Sequence, residues 1–283
     1  MSTFDDTGRR IYSDLFTECH LEGLKKELQL REQIVLLIQR TELWELVQQV
    51  CSGFHERYLQ EGNDQDLLLG PLVLPLYIGY APLRKFDEKL LTNIIQEPIL
   101  YERIFREVIL SIANTFFSRL EPPFRIRLEQ VYCRLRLKLP LEEQYLFRTH
   151  PQNVSIGLTV LHGVVQAFSS GQKYILQSVW VCPDDPYSVT ITGEVKRVPK
   201  CDDCGCPQQE HQRIRAVSDF CTVRVFDVDS LRTPTTVGRI FQSISVRLAD
   251  DLSQQLRLGY EYAFTGVFNS LSQLFNAWQV EKL

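Results

Sequence analysis

Cys201-Asp202-Asp203-Cys204-Gly205 is the stretch of this 283-residue chain whose residue types and spacing are best suited to chemistry. Two thiolates separated by a tight turn can face one tetrahedral metal, and the glycine lets backbone N–H groups turn toward the sulfurs. This is the shape of a zinc knuckle. A ribbon needs a second pair, and upstream only Cys182 offers a sulfur, with Pro183-Asp184-Asp185-Pro186 where its partner would stand. Cys206, Asp185 or His211 could supply a fourth ligand. The expected metal set is therefore Cys182, Cys201, Cys204 and Cys206, with zinc as the ion. The alternative is a degenerate ribbon that keeps the hairpin without metal.

Phosphate-binding chemistry has two candidate groups. Arg213, Arg215, Arg224, Arg232 and Arg239 flank the cysteine hairpin and the segment after it, where the binding edge of a β-barrel would lie, and they are the expected DNA contacts. Arg134, Arg136 and Lys138 share one face of a strand and could pair phosphates, or could form a solvated face balanced by Glu142 and Glu143. Catalytic chemistry finds no residues. There is no G-x-x-x-x-G-K-[ST] loop to cradle a triphosphate, and Ser170-Gly171-Gln172-Lys173 does not replace one. G-x-S-x-G and H-E-x-x-H are both absent, and the five histidines are scattered. The chain reads as a binding or assembly subunit with no nucleotide and no small-molecule substrate.

The elements that must carry these residues change period along the chain. From Ile11 to Gln60, and again from Glu88 to Arg119 with a break at Pro98, apolar residues recur at helical spacing. In the second stretch Ile99, Ile104, Val108, Ile112 and Phe116 form the expected core stripe. Between the two, Leu67 to Leu83 reads as a buried extended connector, because prolines and glycines interrupt it and it is short of the roughly 20 residues of a membrane helix. After Glu121-Pro122-Pro123 the period becomes 2, as in Cys133-Arg134-Leu135-Arg136-Leu137-Lys138-Leu139. Further strands are expected over 155–169, 173–181, 188–195, 222–228, 239–248 and 260–268. The spacing predicts an α+β chain: a helical domain over 1–120, then an OB-type β-barrel over 121–283 with a zinc-ribbon-like insertion at about 178–221. Leu271, Leu274, Phe275 and Trp278 recur at three, one and three residues, a helical stripe that would either dock a partner or pack on its own barrel.

The formal net charge is −4, with −5 in residues 1–120 and +1 in the remainder, so any nucleic-acid contact is local and belongs to the second half. Met1 to Arg10 is polar and acidic, which argues against a secretory signal, and eight cysteines without such a leader suit a reducing compartment.

The order of parts, helical domain, barrel, cysteine hairpin and barrel again, resembles the N-terminal half of the MCM helicases. Ile156-Gly157-Leu158-Thr159-Val160-Leu161-His162-Gly163-Val164-Val165, followed by Ser169, is similar to the barrel strand that leads into the family's G-x-V-x-R-x-S, with Ala167 where the arginine would be. Trp180-Val181-Cys182 and Pro199-Lys200-Cys201-Asp202-Asp203-Cys204 match the strands entering the two halves of the family's ribbon. Phe241-Gln242-Ser243-Ile244-Ser245-Val246 resembles its Q-x-I-x-I strand, with Arg247-Leu248 in place of Gln-Glu. Leu258-Gly259-Tyr260 through Thr265-Gly266-Val267 resembles its closing strand, and Phe86 to Leu91 with Pro98 fits the helical half. The chain stops at Leu283, where an MCM would continue into its AAA+ ATPase. It looks most like the insect meiotic MCM-like proteins related to the MCM-domain-containing protein 2 family. That resemblance implies a nuclear, non-enzymatic subunit promoting meiotic recombination and crossover formation. Its partners would be other MCM-like chains, one with an AAA+-like half, joined through Leu271, Leu274, Phe275 and Trp278, with weak DNA contact and no membrane. The alternative is a stand-alone single-stranded-nucleic-acid-binding OB module.

Overall fold

A computed structural model describes residues 27–61, 70–121, 123–140, 157–185, 187–195, 197–228, 231, 243–254 and 256–283. Helix α1 covers 27–40 and α2 covers Leu43–Glu61. Two compact units divide inside α2, between Leu46 and Val47. In the first, Ile34, Leu37 and Ile38 of α1 are buried, and the Thr41 hydroxyl donates to the Leu37 carbonyl at 2.8 Å as the helix ends. The other described residues form the second unit.

After the rest of α2, the second unit continues with strand β1 (Leu72–Ile78), which lies within the extended connector expected over Leu67 to Leu83. Leu72, Leu74, Leu76 and Ile78 point inward, which is the period of a half-buried strand. β1 pairs in parallel with β2 (Val131–Leu137), Leu72 opposite Val131 and Ile78 opposite Leu137. Pro75 is tolerated because β1 has a neighbour on one side alone among the described residues. A parallel pair needs a crossover, and α3 (Tyr80–Phe86), α4 (Glu88–Gln96) and α5 (Pro98–Phe117) supply it. Asp87 caps α4 by accepting from Lys89 N and Leu90 N, worth about 1 kcal/mol. Pro98 ends α4 and starts α5, as expected from the sequence. The buried face of α5 runs through Tyr101, Ile104, Phe105, Val108, Ile109, Ala113 and Phe117. The expected stripe is thus rotated: Ile104 and Val108 are buried, but Ile99 is 69% exposed. The aromatic rings decide the rotation, because Phe117 stacks on Phe124 at 4.4 Å and meets Phe54 of α2 at 5.6 Å. Asn114 of α5 then acts as a surrogate backbone, donating to Ile126 O and accepting from Ile126 N, and so sets the entry into β2.

The remaining strands are β3 (Leu158–Phe168), β4 (Gln172–Val181), β5 (Val189–Thr192), β6 (Gln209–Glu210), β7 (Ala216–Asp227), β8 (Ser243–Ala249), β9 (Glu261–Asn269) and β10 (Leu274–Lys282). Pairing runs β3–β9–β10–β8–β7, and β7 pairs with β3 again. Taken in chain order this is 1-2-3-5-4 returning to 1, with β8 and β10 parallel and the other pairs antiparallel, the connectivity of an OB-type fold. The interior is filled by Leu161, Val165, Val223, Val225, Val246, Leu248, Phe264 and Phe275 among others. β3 approaches the helices closely: a Cβ at Gly157 would stand 2.1 Å from the Ile95 carbonyl oxygen, so only glycine fits.

The segment 271–278 corrects the sequence reading. It is a turn and a strand, not a helix. Asn269 Oδ1 accepts from Leu271 N and Ser272 N, Gln273 adopts a φ of +52°, and the chain reverses into β10. A bulge between Ala277 and Gln279 shifts the register, so that Phe275 and Val280, five apart, both face the core. That odd interval hides the strand period. The expected helix start at Ile11 lies outside the described residues.

Candidate metal centre and nucleic-acid face

β4 is longer than the barrel needs. Its far end carries β5 and β6 on either side, Trp180 pairing with Thr190 and with Glu210, and so forms a small sheet outside the barrel. Cys182 leaves the end of β4, and its N–H donates to Ser188 O. The second cysteine stretch is a closed turn: Lys200 bridges Pro207, Cys201 N donates to Cys206 O at 2.9 Å, and Gly205 N donates to Cys201 O at 2.9 Å. Gly205 has a φ of +71°, the left-handed conformation that such a turn requires.

These two stretches bring together three of the four expected ligands. The sulfurs of Cys182, Cys201 and Cys204 all lie within 4.8 Å of one another, with Cys182 and Cys204 at 3.4 Å. Tetrahedral zinc with bonds of about 2.3 Å places its sulfurs about 3.8 Å apart, so the spacing suits one ion. The Ser188 hydroxyl contacts the Cys201 sulfur at 3.1 Å. That hydroxyl and the N–H groups of Cys204 and Asp203 pull the Cys201 thiol down from 9.0 to about 7. Burial pushes Cys182 upward, opposed by the N–H groups of Asp184 and Asp185 directed at its sulfur. Donors aimed at sulfur are what a thiolate ligand requires, so the cluster could hold a metal. Cys206 is not one of this trio, but its sulfur lies within 4.8 Å of the Cys204 sulfur and of an Asp184 carboxylate oxygen. The other candidate ligands are engaged elsewhere or distant: Asp185 Oδ1 accepts from Tyr187 N at 3.0 Å, and His211 belongs to neither group among the described residues.

The expected DNA-contacting arginines are scattered. Arg213 lies on the 3-10 turn Gln212–Ile214 and is exposed. Arg215 is paired with Glu210, its Nε donating to Oε1 at 2.7 Å. Arg224 stands exposed on β7 between Ala167 of β3 and Ser245 of β8. Arg232 and Arg239 lie outside the described residues.

A denser arrangement went unread in the sequence. On the outer face of β7 and β8, Phe220, Thr222 and Arg224 alternate with buried Cys221, Val223 and Val225, and Thr222 opposes Arg247. The Arg247 guanidinium lies 4.3 Å from the Phe220 ring centroid and 5.9 Å from that of Tyr174, while Phe220 and Tyr174 meet edge to face at 6.0 Å. The period-2 signal was present from Ser218 onward, but placing the strand start at Thr222 left Phe220 out.

Arg134, Arg136 and Lys138 are all engaged with acidic or polar partners, although Lys138 stays exposed, and Glu142 and Glu143 lie outside the described residues. The Arg136 side chain is 3% exposed, with Nη2 2.5 Å from Asp251 Oδ1 and Nη1 donating to Trp278 O at 2.9 Å. Arg134 donates to the Tyr132 hydroxyl and lies 3.5 Å from Glu102, and Lys138 pairs with Glu281 at 2.5 Å. Asp250, at a φ of +61°, accepts from Tyr174 and Ser218. Burial and the Asp250 hydrogen bond raise the Tyr174 pKa, which keeps its hydroxyl a donor. Asp250 and Asp251 follow β8, so this network ties the β1–β2 sheet to the barrel around a cavity of about 240 Å³ lined by Val73, Pro75, Tyr77 and Tyr132. Charge that looked available to a ligand is already neutralised.

Of the expected partner residues, Leu271 is 96% exposed at the β9–β10 turn, Leu274 and Trp278 are half-buried, and Phe275 is in the barrel core. No helix among the described residues is long and apolar enough to cross a membrane.

No family model matches the chain, and no curated protein matches it either. Among solved structures, it is similar to the N-terminal domain of an archaeal MCM, with a TM-score of 0.62 and 17% identity over 91% of this chain and 99% of that one. At that identity the likeness establishes the fold.

Proposed function

We propose that this chain is a non-catalytic MCM-like subunit of a nuclear complex that promotes meiotic recombination and crossover formation. The observation that supports the MCM-like part of the reading is the likeness in fold, over 91% of the chain, to the N-terminal domain of an archaeal MCM, while the meiotic part rests on the sequence resemblance. The absence of a phosphate-cradling loop from the sequence supports the non-catalytic part. In this reading Cys182, Cys201 and Cys204 hold zinc, which cross-links the hairpin and contributes its binding free energy to folding. The exposed turn at Leu271 meets a partner chain that carries an AAA+-like half. The test is co-purification from meiotic tissue with identification of the bound chains. An MCM-like companion that is lost from Leu271→Ser protein supports the subunit reading, and a monomer with no such companion refutes it.

The outer face of β7 and β8 favours single-stranded nucleic acid as a second ligand, within the complex or by the chain alone. Bases stack on aromatic rings for about 1–3 kcal/mol each, and Phe220 beside Arg247 offers one such platform, with Arg224 exposed on the same strand and Arg213 exposed on the turn that precedes it. Fluorescence anisotropy with a labelled oligothymidine should show binding that weakens roughly 5- to 150-fold in Phe220→Ala. Changing Arg213 and Arg224 to alanine should lessen the log-log salt slope by about 0.7 per lost contact. Binding indifferent to all three changes removes this face.

A further inference from the structure

We propose that Asp184, not Cys206, completes the metal seat of Cys182, Cys201 and Cys204, giving a three-thiolate, one-carboxylate site. The inference rests on reading the cluster as a divalent metal seat. Three sulfurs stand together, and a tetrahedral ion needs one more donor. The sequence offers Cys206, Asp185 or His211 as the fourth donor, with Cys206 the expected one. The Asp185 carboxylate is turned along the chain onto Tyr187 N, and its carbonyl accepts from Ser188 N. Asp184 instead has its carboxylate within 4.8 Å of the Cys204 and Cys206 sulfurs, while its own N–H is directed at Cys182. Its backbone is thereby fixed beside the seat and its exposed side chain can swing onto the ion.

Cys206 has a different place. Its carbonyl is held by Cys201 N, and its thiol donates to the Asp184 carboxylate. Cys206 thus holds the Asp184 carboxylate beside the Cys204 sulfur, a short swing from the seat. Cys206 is a positioning residue, and serine, which keeps a donor, should replace it. A carboxylate is a harder donor than a thiolate, so the seat should release zinc more readily than a four-cysteine ribbon does.

Cobalt(II) titration of the full chain decides the matter, because the thiolate-to-cobalt charge-transfer absorbance scales with the number of bound sulfurs. The wild type should give about three-quarters of the intensity of an Asp184→Cys variant, which supplies a fourth thiolate. Cys206→Ser should keep the wild-type intensity, and Asp184→Ala should bind cobalt at least tenfold more weakly. A Cys206→Ser spectrum that loses about a quarter of its intensity, with Asp184→Ala unchanged, overturns the assignment and leaves the metal reading standing. Absence of cobalt uptake by folded wild-type protein overturns the metal reading itself, and Asp184 with it. The Cys206→Ser spectrum decides alone should Asp184→Ala fail to fold.

Discussion

Replacing Phe275 with alanine should unfold the barrel at markedly lower temperature, whereas replacing Leu271 with serine should leave its stability nearly unchanged. Phe275 has no exposed surface and packs with Val246, Phe264 and Phe268 inside the ring of strands. Truncating a fully buried phenylalanine removes its transfer free energy and leaves a cavity, about 3–5 kcal/mol together. For a chain of this size each kcal/mol moves the midpoint by roughly 2–4 °C, so a fall of about 6–20 °C is expected. Leu271, four residues earlier, is 96% exposed in a turn held by Asn269 Oδ1, and its change should stay within about 0.5 kcal/mol. Thermal unfolding followed by circular dichroism measures both. On a helix, positions four apart share a face and would respond alike. Equal destabilisation by the two substitutions would refute the strand and turn, and with them the separation of a folding residue from a docking residue within one short segment.

Arg136→Ala should destabilise by about 2–3 kcal/mol, below the full cost of stranding a buried partner because Asp251 is partly hydrated. Pairing it with Asp251→Asn should recover at least about 0.5 kcal/mol in a double-mutant cycle, and strict additivity would remove the ion pair from the account. Gly157→Ala should cost about 1–3 kcal/mol, since the new methyl meets the Ile95 carbonyl and the backbone must shift. An unchanged melting temperature there would contradict the close approach of β3 to the helices. In metal-free protein the Cys201 thiol titrates near 7 when folded against 9.0 ordinarily, a depressed value. The folded state is therefore favoured above pH 9, and that advantage is lost as the pH falls through 7. The melting temperature should rise between those limits in wild type, and Cys201→Ala should abolish the rise.

The helices over 27–61 and 88–117, the change to period 2 near residue 131 and the cysteine turn were legible because each is a local signal. Pro98, Asp87 and Gly205 mark their positions by backbone chemistry that needs no tertiary context. What escaped depended on distant partners. The β1 strand was hidden by Pro75, tolerated on an edge, and β10 by a bulge that shifts its alternation. Arg134 and Arg136 read as a phosphate-binding or solvated face because their partners Glu102, Asp250, Asp251 and the Trp278 carbonyl lie as far as 142 residues away. Phe220 and Arg247 meet only because β7 and β8 pair in register, and the place of Asp184 beside Cys204 depends on how two turns close toward each other. The sequence alone left Cys206, Asp185 and His211 as candidates for that place.

The parallel contact between β8 and β10 is only three residue pairs long, from Leu274 opposite Ser245 to Asn276 opposite Arg247. Beyond Ala277, β10 continues to Lys282 against β9 with no second strand beside it among the described residues. A naked strand edge is a template on which other chains can polymerise. Here the Trp278 carbonyl is stoppered by the Arg136 guanidinium, Glu281 is held by Lys138, and the bulge at Ala277/Gln279 breaks the flat ladder that an incoming strand would copy. Arg136 of β2 and Lys138 just beyond it therefore guard the protein against aggregation as well as fastening it, and their loss should surface as turbidity at high concentration before the barrel itself comes apart.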